Sequence, residues 1–194
     1  MQLKNTRSRK ELSEVLLNPN AEGPDPVYMV FSGVNDKDWE NVTIISNGLV
    51  GNEYPKTYGH YHPENSPTET YKVLHGEGAF LLQEKFTENG KWVKNKVKTV
   101  IIIKAKKDET ITITPKWGHS SSNLGNSPLV TVDNWKSGHT ESDYDPIKQQ
   151  RGMAYYLTQE GGQFSFVKNP NYIDHPKPIV MTPNEFAQYQ QENV

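Results

Sequence analysis

The stretch Thr57–Gly78, TYGHYHPENSPTETYKVLHGEG, decides the fold and holds most of the chain's candidate chemistry. His60 and His62 stand at i and i+2, positions that share one face of a β-strand, so two imidazoles can reach one point. A loop containing Pro63 and Pro67 follows, long enough to bring Glu69 in on a second strand beside the first. Two imidazoles and a carboxylate on one face suit a divalent cation. His75-Gly76-Glu77-Gly78 then reads as a turn. A fourth ligand must come from elsewhere, and His119, in Pro115-Lys-Trp-Gly-His119-Ser-Ser-Ser-Asn123, follows an apolar strand and a proline-marked turn. His60, His62, Glu69 and His119 together offer three nitrogens and one carboxylate, leaving open positions on a six-coordinate metal. Such a set suits one divalent ion per chain, Fe2+, Mn2+, Ni2+ or Zn2+.

Around this stretch the chain reads as short strands. Val27–Phe31 and Asn41–Ile45 precede it, the latter ending in the turn residues Ser46-Asn47-Gly48. His60–His62 and Glu69–Leu74 are the strands that carry the ligands, and Ala79–Glu84 returns after the glycine turn. Asn89-Gly90 is a strong hairpin signal. Val97–Lys104 contains Val100-Ile-Ile-Ile103, a run expected to be buried on both sides, and Thr110–Thr114 alternates strictly. Trp117–Asn123, Leu129–Trp135 and Phe164–Val167 complete the strands. Helices are expected only at the ends, over Arg9–Leu17 and over Pro183–Gln191 behind Thr182. The pattern predicts an all-β sandwich or barrel, a single domain with its core over about residues 25–170 and peripheral termini.

Composition narrows the function classes. Lys and Arg number 21 against 23 Asp and Glu, a net charge of −2 that calls for neither nucleic acid nor an anionic membrane. Only 34% of residues are hydrophobic, but ten Tyr, four Trp and six Phe can build a core. No apolar run approaches the roughly 20 residues that span a bilayer. The opening MQLKNTRSRKELSEVLL lacks the apolar centre of a secretory signal. Without cysteine there are no disulfides or thiolate ligands, and the cytoplasm is the expected compartment.

The two ligand segments resemble the paired motifs of the cupin superfamily: HxH, Glu, a Gly seven residues on, and later PxxxHxxxN. More narrowly, the chain resembles the cupin-type phosphoglucose isomerases known from archaea and some bacteria. The resemblance is carried by Thr57, Gly59, His60 and His62 (TxGHxH), Glu69–Tyr71 (ETY), and Gly76, Gly78 and Leu81–Gln83 (GxGxxLLQ). It continues through Pro115–His119 (PKWGH), Asn123–Gly125, Gly138-His139 and Asp143-Tyr144, with Asp25–Tyr28 and Thr43 upstream. The chain departs from the family where Thr140-Glu-Ser142 separates His139 from Asp143-Tyr144, where Trp135 stands in place of a tyrosine, and where Asp108-Glu109 replaces a glycine. The hairpin over Thr87–Lys98 is enlarged. These departures fall on the substrate pocket more than on the metal ligands.

The resemblance implies a double-stranded β-helix (jelly-roll) barrel and a metal-dependent aldose–ketose isomerase acting on glucose 6-phosphate and fructose 6-phosphate. It implies that Thr43, Thr57 and Gly59 help hold the sugar phosphate, and that His139 and Tyr144 close over the same ligand. Tyr71, two residues after Glu69, lies on the same strand face and reaches the pocket. Glu69 and His139 are the candidate catalytic residues, while Trp117 and Trp135 read as packing residues. His75 and His175 have no partners in sequence and read as ordinary histidines. By analogy a homodimer is expected. Two further readings remain open: a non-catalytic sugar-phosphate- or metal-binding cupin, and a cupin dioxygenase or epimerase. An enediol route and a hydride shift both remain open for the isomerisation.

Overall fold

The computed structural model describes residues 1–34 and 36–193. In chain order the strands are β1 (Gln2–Arg7), β2 (Tyr28–Ser32), β3 (Asn41–Ile45), β4 (Glu69–His75), β5 (Glu77–Glu88) and β6 (Lys91–Lys106). Then come β7 (Thr110–Ile113), β8 (Trp117–Asn123), β9 (Leu129–Asp133), β10 (Tyr155–Glu160), β11 (Gln163–Lys168) and β12 (Ile179–Met181). The helices are α1 (Arg9–Leu12), α2 (Glu141–Gln149) and α3 (Pro183–Glu192).

The strands form a six-stranded sheet ordered β1-β2-β3-β9-β4-β7 and a four-stranded sheet ordered β12-β6-β5-β8, with β10-β11 as a separate hairpin. Strands far apart in sequence are neighbours, since β9 lies between β3 and β4 and β8 lies beside β5. Together the sheets make the all-β barrel that the strand pattern implies. Both sheets contribute to one apolar core, and Val100, Ile101, Ile102 and Ile103 are all fully buried. That triple-isoleucine run is covered along one edge by β12, which pairs with it in parallel at Ile101–Ile103. On β7 the alternation of Thr110–Ile113 places Ile111 and Ile113 inside and both threonines outside. Asn89 (φ 52°) and Gly90 (φ 72°) make the expected tight hairpin, an arrangement that needs positive φ at both central positions.

The structure differs from the sequence reading at several points. His60–His62 forms no strand; only His60 pairs, as an isolated bridge to His119. Gly59 just before it adopts φ +86°, and Pro63 just after it has no N–H to extend a ladder. The turn after β4 is tighter than His75–Gly78, because Gly76 alone makes it and β5 resumes at Glu77. β5 and β6 run on into the long hairpin around Asn89-Gly90. At the N-terminus the expected helix shrinks to α1 and a 3₁₀ turn over Ser13–Val15, though Leu12, Val15 and Leu16 are buried as the stripe predicts. Ahead of it, polar β1 is a strand, held by pairing with β2 rather than by any pattern of its own. β10, β12 and α2 were not foreseen. α3 behaves as read: Thr182 caps it and accepts from the Glu185 N–H, while Glu185 reaches back to the Thr182 N–H at 2.7 Å.

Candidate metal centre and substrate pocket

The segment before His62 is held by backbone pairing along β8. The Thr57 N–H donates to Ser121 O (2.9 Å), and His60 and His119 exchange N–H···O bonds of 3.1 and 2.9 Å. This pairing sets His60 against His119 regardless of the lost strand. Tyr61 turns away from its two histidine neighbours and lies over Gly118. A Cβ at Gly118 would meet the Tyr61 ring at 2.5 Å, so the close approach requires glycine there. Gln83 fixes the other end of Tyr61, donating to its hydroxyl (2.7 Å) and to that of Tyr172 (3.0 Å), and accepting from the Ala154 N–H (2.7 Å). With Tyr61 locked outward, His60 and His62 both point inward. Gly59 is confined as well: a Cβ would press on Met153 Sδ at 3.2 Å in a backbone conformation L-residues rarely adopt.

Four ligand atoms converge there. One from each of His60, His62, Glu69 and His119 lies within 4.8 Å of the other three, and all four residues are buried. His62 Nε2 is 2.7 Å and His119 Nε2 3.0 Å from the same Glu69 oxygen, and His60 Nε2 faces His62 Nε2 at 3.3 Å. Two facing imidazole nitrogens cannot both be acceptors, and sharing protons among three converging Nε2 atoms satisfies them poorly. A divalent cation would satisfy all four donors at once, so the residues fit a metal. Burial would raise the Glu69 pKa, but hydrogen bonds from His119 and His62 outweigh that and hold it well below the usual carboxylate range. Burial, followed by repulsion from His119, His139 and His62, keeps His60 well below the ordinary imidazole value. An ionised carboxylate beside a neutral imidazole is the protonation state a metal ligand set needs.

Above the ligands lies a cavity of about 290 Å3. Thr43, Thr57, Gly59, Tyr71, His139 and Tyr144, all singled out from sequence, line it together with His60 and Glu69. Tyr71 Oη is 3.2 Å from His119 Nε2 and its pKa is raised well above normal, first by burial and then by Glu69. The backbone N–H of Ser121 donates to Thr57 Oγ1 at 3.0 Å, which fixes the oxygen, and Ser121 Oγ lies 3.5 Å from it. Thr140-Glu-Ser142, the insertion, becomes the entry to α2, where Asp143 Oδ2 accepts from the Thr140 N–H at 2.8 Å. That helix sets Tyr144 edge-on to Tyr58 and His60, at ring-centre distances of 5.5 and 5.8 Å. His139 packs on His60 at 3.9 Å, and burial lowers its pKa to about 4 despite the attraction of Glu69.

Other lining residues went unread in the sequence. Lys4, Asn5 and Arg7 enter from β1, and Asn41 and Asp133 from β3 and β9. Trp135, read as packing, also lines the cavity: it lies on His62 at 3.9 Å and stacks with its plane 7° from that of His139. Strand alternation was the one available signal. Asn41 and Thr43 share a face of β3 with Ile45, but a pattern reader takes the apolar Val42 and Ile44 as the inner set. His75 is exposed, and His175 bonds the Asn169 carbonyl at 2.7 Å, so neither joins the site.

Residues 10–174 match the family model described as glucose-6-phosphate isomerase (GPI). The glucose-6-phosphate isomerase of Thermococcus onnurineus (strain NA1) is 32% identical over 149 residues, 75% of this chain and 71% of the relative. That of Pyrococcus furiosus is 28% identical over 158 residues, 78% of this chain and 76% of the relative. Among solved structures, the capsular polysaccharide assembling protein CapF from Staphylococcus aureus aligns over 62% of this chain and 30% of its own, at 18% identity and a TM-score of 0.44. No helix among the described residues is long and apolar enough to cross a membrane.

Proposed function

The chain belongs to the glucose-6-phosphate isomerase family, and from that membership we propose that it interconverts glucose 6-phosphate and fructose 6-phosphate in a metal-dependent reaction. The observation that carries the reading is the convergence of four buried ligand atoms beneath a cavity lined with hydroxyl, imidazole and cationic side chains. His60, His62, Glu69 and His119 hold one divalent ion, Fe2+ first and Mn2+, Ni2+ or Zn2+ after it. When bound, the ion supplies Lewis-acid charge that favours negative charge developing on the sugar oxygens. Everything else falls to the chain. Thr43, Thr57 and Gly59 hold the phosphate through hydroxyl and backbone donors, with Arg7 and Lys4 on the same cavity wall supplying positive charge. Neutral His139 and Tyr144 close over the sugar, and burial of the ligand cluster keeps water from competing.

Glu69 is the base candidate for moving the C2 hydrogen to C1 as a proton. Its depressed basicity favours its ligand role, so a hydride shift remains the competing route. Running the reaction with C2-deuterated glucose 6-phosphate separates them, since full retention of label at C1 excludes exchange through a solvent-accessible enediol. The function itself is tested by a coupled isomerase assay before and after chelation. Loss of activity followed by metal-specific recovery is expected, and no turnover by fully loaded protein would leave a non-catalytic sugar-phosphate-binding cupin. We further place the chain in the cytoplasm as a single domain that pairs into a homodimer. Exposed Leu3 on edge strand β1 and Ile179 and Val180 on edge strand β12 support the pairing, and light scattering tests it.

A further inference from the structure

Asp133, at the end of β9, is a second carboxylate on the cavity wall, outside the group of four residues that could hold a metal. It is 5% exposed and lies opposite Asn41 on β3 and Tyr71 on β4, so the three side chains form one inward row across adjacent strands. Asn41 Nδ2 donates to Asp133 Oδ1 at 2.7 Å and the Trp135 N–H donates to the same oxygen at 3.0 Å. Among the described residues Oδ2 has no hydrogen-bond partner, and no charged Lys, Arg or His nitrogen lies within 4.0 Å of the carboxylate, Lys4 acting on it only from farther away. A structural carboxylate at such a depth normally has a cation or several donors on both oxygens. Here one oxygen is anchored and the other is left facing the cavity.

The reaction has a matching need. Converting the open-chain aldose to the ketose moves one hydrogen from C2 to C1 and also one proton from the C2 oxygen to the C1 oxygen. This second transfer is required whether the C2 hydrogen travels as proton or as hydride. Glu69, bonded by two imidazoles, is poorly placed to perform it. We propose that Asp133 is the acid–base group that shuttles the hydroxyl proton between the two sugar oxygens. Oδ2 takes the proton from the C2 hydroxyl as C2–O becomes a carbonyl and delivers it to O1 as the C1 carbonyl becomes a hydroxyl. No oxidant or co-reactant is consumed. Asn41 and the Trp135 N–H act as positioning groups that keep Oδ2 turned to the cavity. Burial, with Glu69 second, raises the Asp133 pKa to about 7, which agrees with a group that gives and takes a proton near neutrality.

This role rests on the isomerase reading, and the test separates the two. Asp133→Asn keeps an oxygen for the Asn41 and Trp135 donors but cannot accept a proton. With metal content equal to wild type, it is expected to lower kcat about 100-fold and leave KM within about threefold. Asp133→Ala is expected to lose as much and to regain at least tenfold when formate is added; it carries the test alone if Asp133→Asn fails to fold. Near-wild-type kcat in Asp133→Asn, or no formate rescue of folded Asp133→Ala, overturns the proposal while wild-type turnover leaves the isomerase reading intact. Absence of turnover in loaded wild-type protein overturns both.

Discussion

Two cross-strand rows line the barrel from opposite sheets and differ sharply in character. On the four-stranded sheet, Ile101, Leu82 and His119 lie side by side across β6, β5 and β8. On the six-stranded sheet, Asn41, Asp133 and Tyr71 occupy the same kind of row across β3, β9 and β4. Ile101 and Leu82 are fully buried hydrocarbon, which favours folding and grips a ligand histidine at the end of its row. The polar row gains little from burial and leaves Asn41 Oδ1 without a hydrogen-bond partner. One sheet therefore supplies rigidity to the metal centre, and the other accepts a stability cost to present polar groups to the cavity. The rows meet at His119, through its contact with Tyr71 Oη at 3.2 Å.

The contrast can be broken first at the centre. Glu69→Gln removes the charge that both imidazoles bond, and activity is expected to fall by more than about 10³-fold with loss of bound metal, read by metal analysis beside the coupled assay. The next effect belongs to the apolar row. Leu82→Ala is expected to lower unfolding free energy by about 2–5 kcal/mol in a urea titration. Thr43→Ala, on the polar face, should cost less than about 1 kcal/mol in the same titration while raising KM.

A pH series tests the polar row further, because Asp133 and the neighbouring cavity residue His139 carry opposite signs. His139 has a folded pKa near 4, below its unfolded value near 6.5, so its contribution is complete above pH 6.5 and is lost as pH falls towards 4. Asp133 has a folded pKa raised to about 7 from 3.8, so its contribution is complete below pH 3.8 and is lost as pH rises through 7. In chelated wild-type protein the two slopes oppose each other. Asp133→Asn unmasks the slope of the depressed histidines, His139 and His60, and stability is expected to drop as pH falls from 6.5 to 4. His60, whose pKa is also depressed, adds a slope of the same sign, so adding His139→Ala should remove part of that drop, and a slope unchanged by the second substitution would exclude His139 as a source. The last effect is kinetic: His139→Ala alone should raise KM about tenfold and lower kcat less, as expected for a group that binds substrate. The reverse split would move His139 into the chemistry.

The ligand half of the site was legible because its signals are local. The spacing of His60 and His62, Glu69 leading β4, and His119 within β8 are fixed by residues only a few positions away. That reading reached the right convergence partly by a wrong route, since the two histidines are aligned by the bridge to His119 and the turned-out Tyr61 rather than by a strand of their own. The opposite wall had no such signal. β1 has no apolar alternation, so nothing marked Lys4 and Arg7 as cavity residues until pairing with β2 placed them. Asn41 and Asp133 look like strand ends in sequence and become neighbours across 92 positions only when β9 inserts beside β3.

By itself, then, the sequence determined the all-β character, the buried triple-isoleucine strand, the Asn89-Gly90 hairpin and the His60, His62, Glu69 and His119 group that could hold a metal, because strand period, turn chemistry and ligand spacing act over short range. Only the tertiary structure decided which polar residues face inward. Strand order and register set that choice, and a chain read one residue at a time carries no direct record of which distant strand will lie alongside.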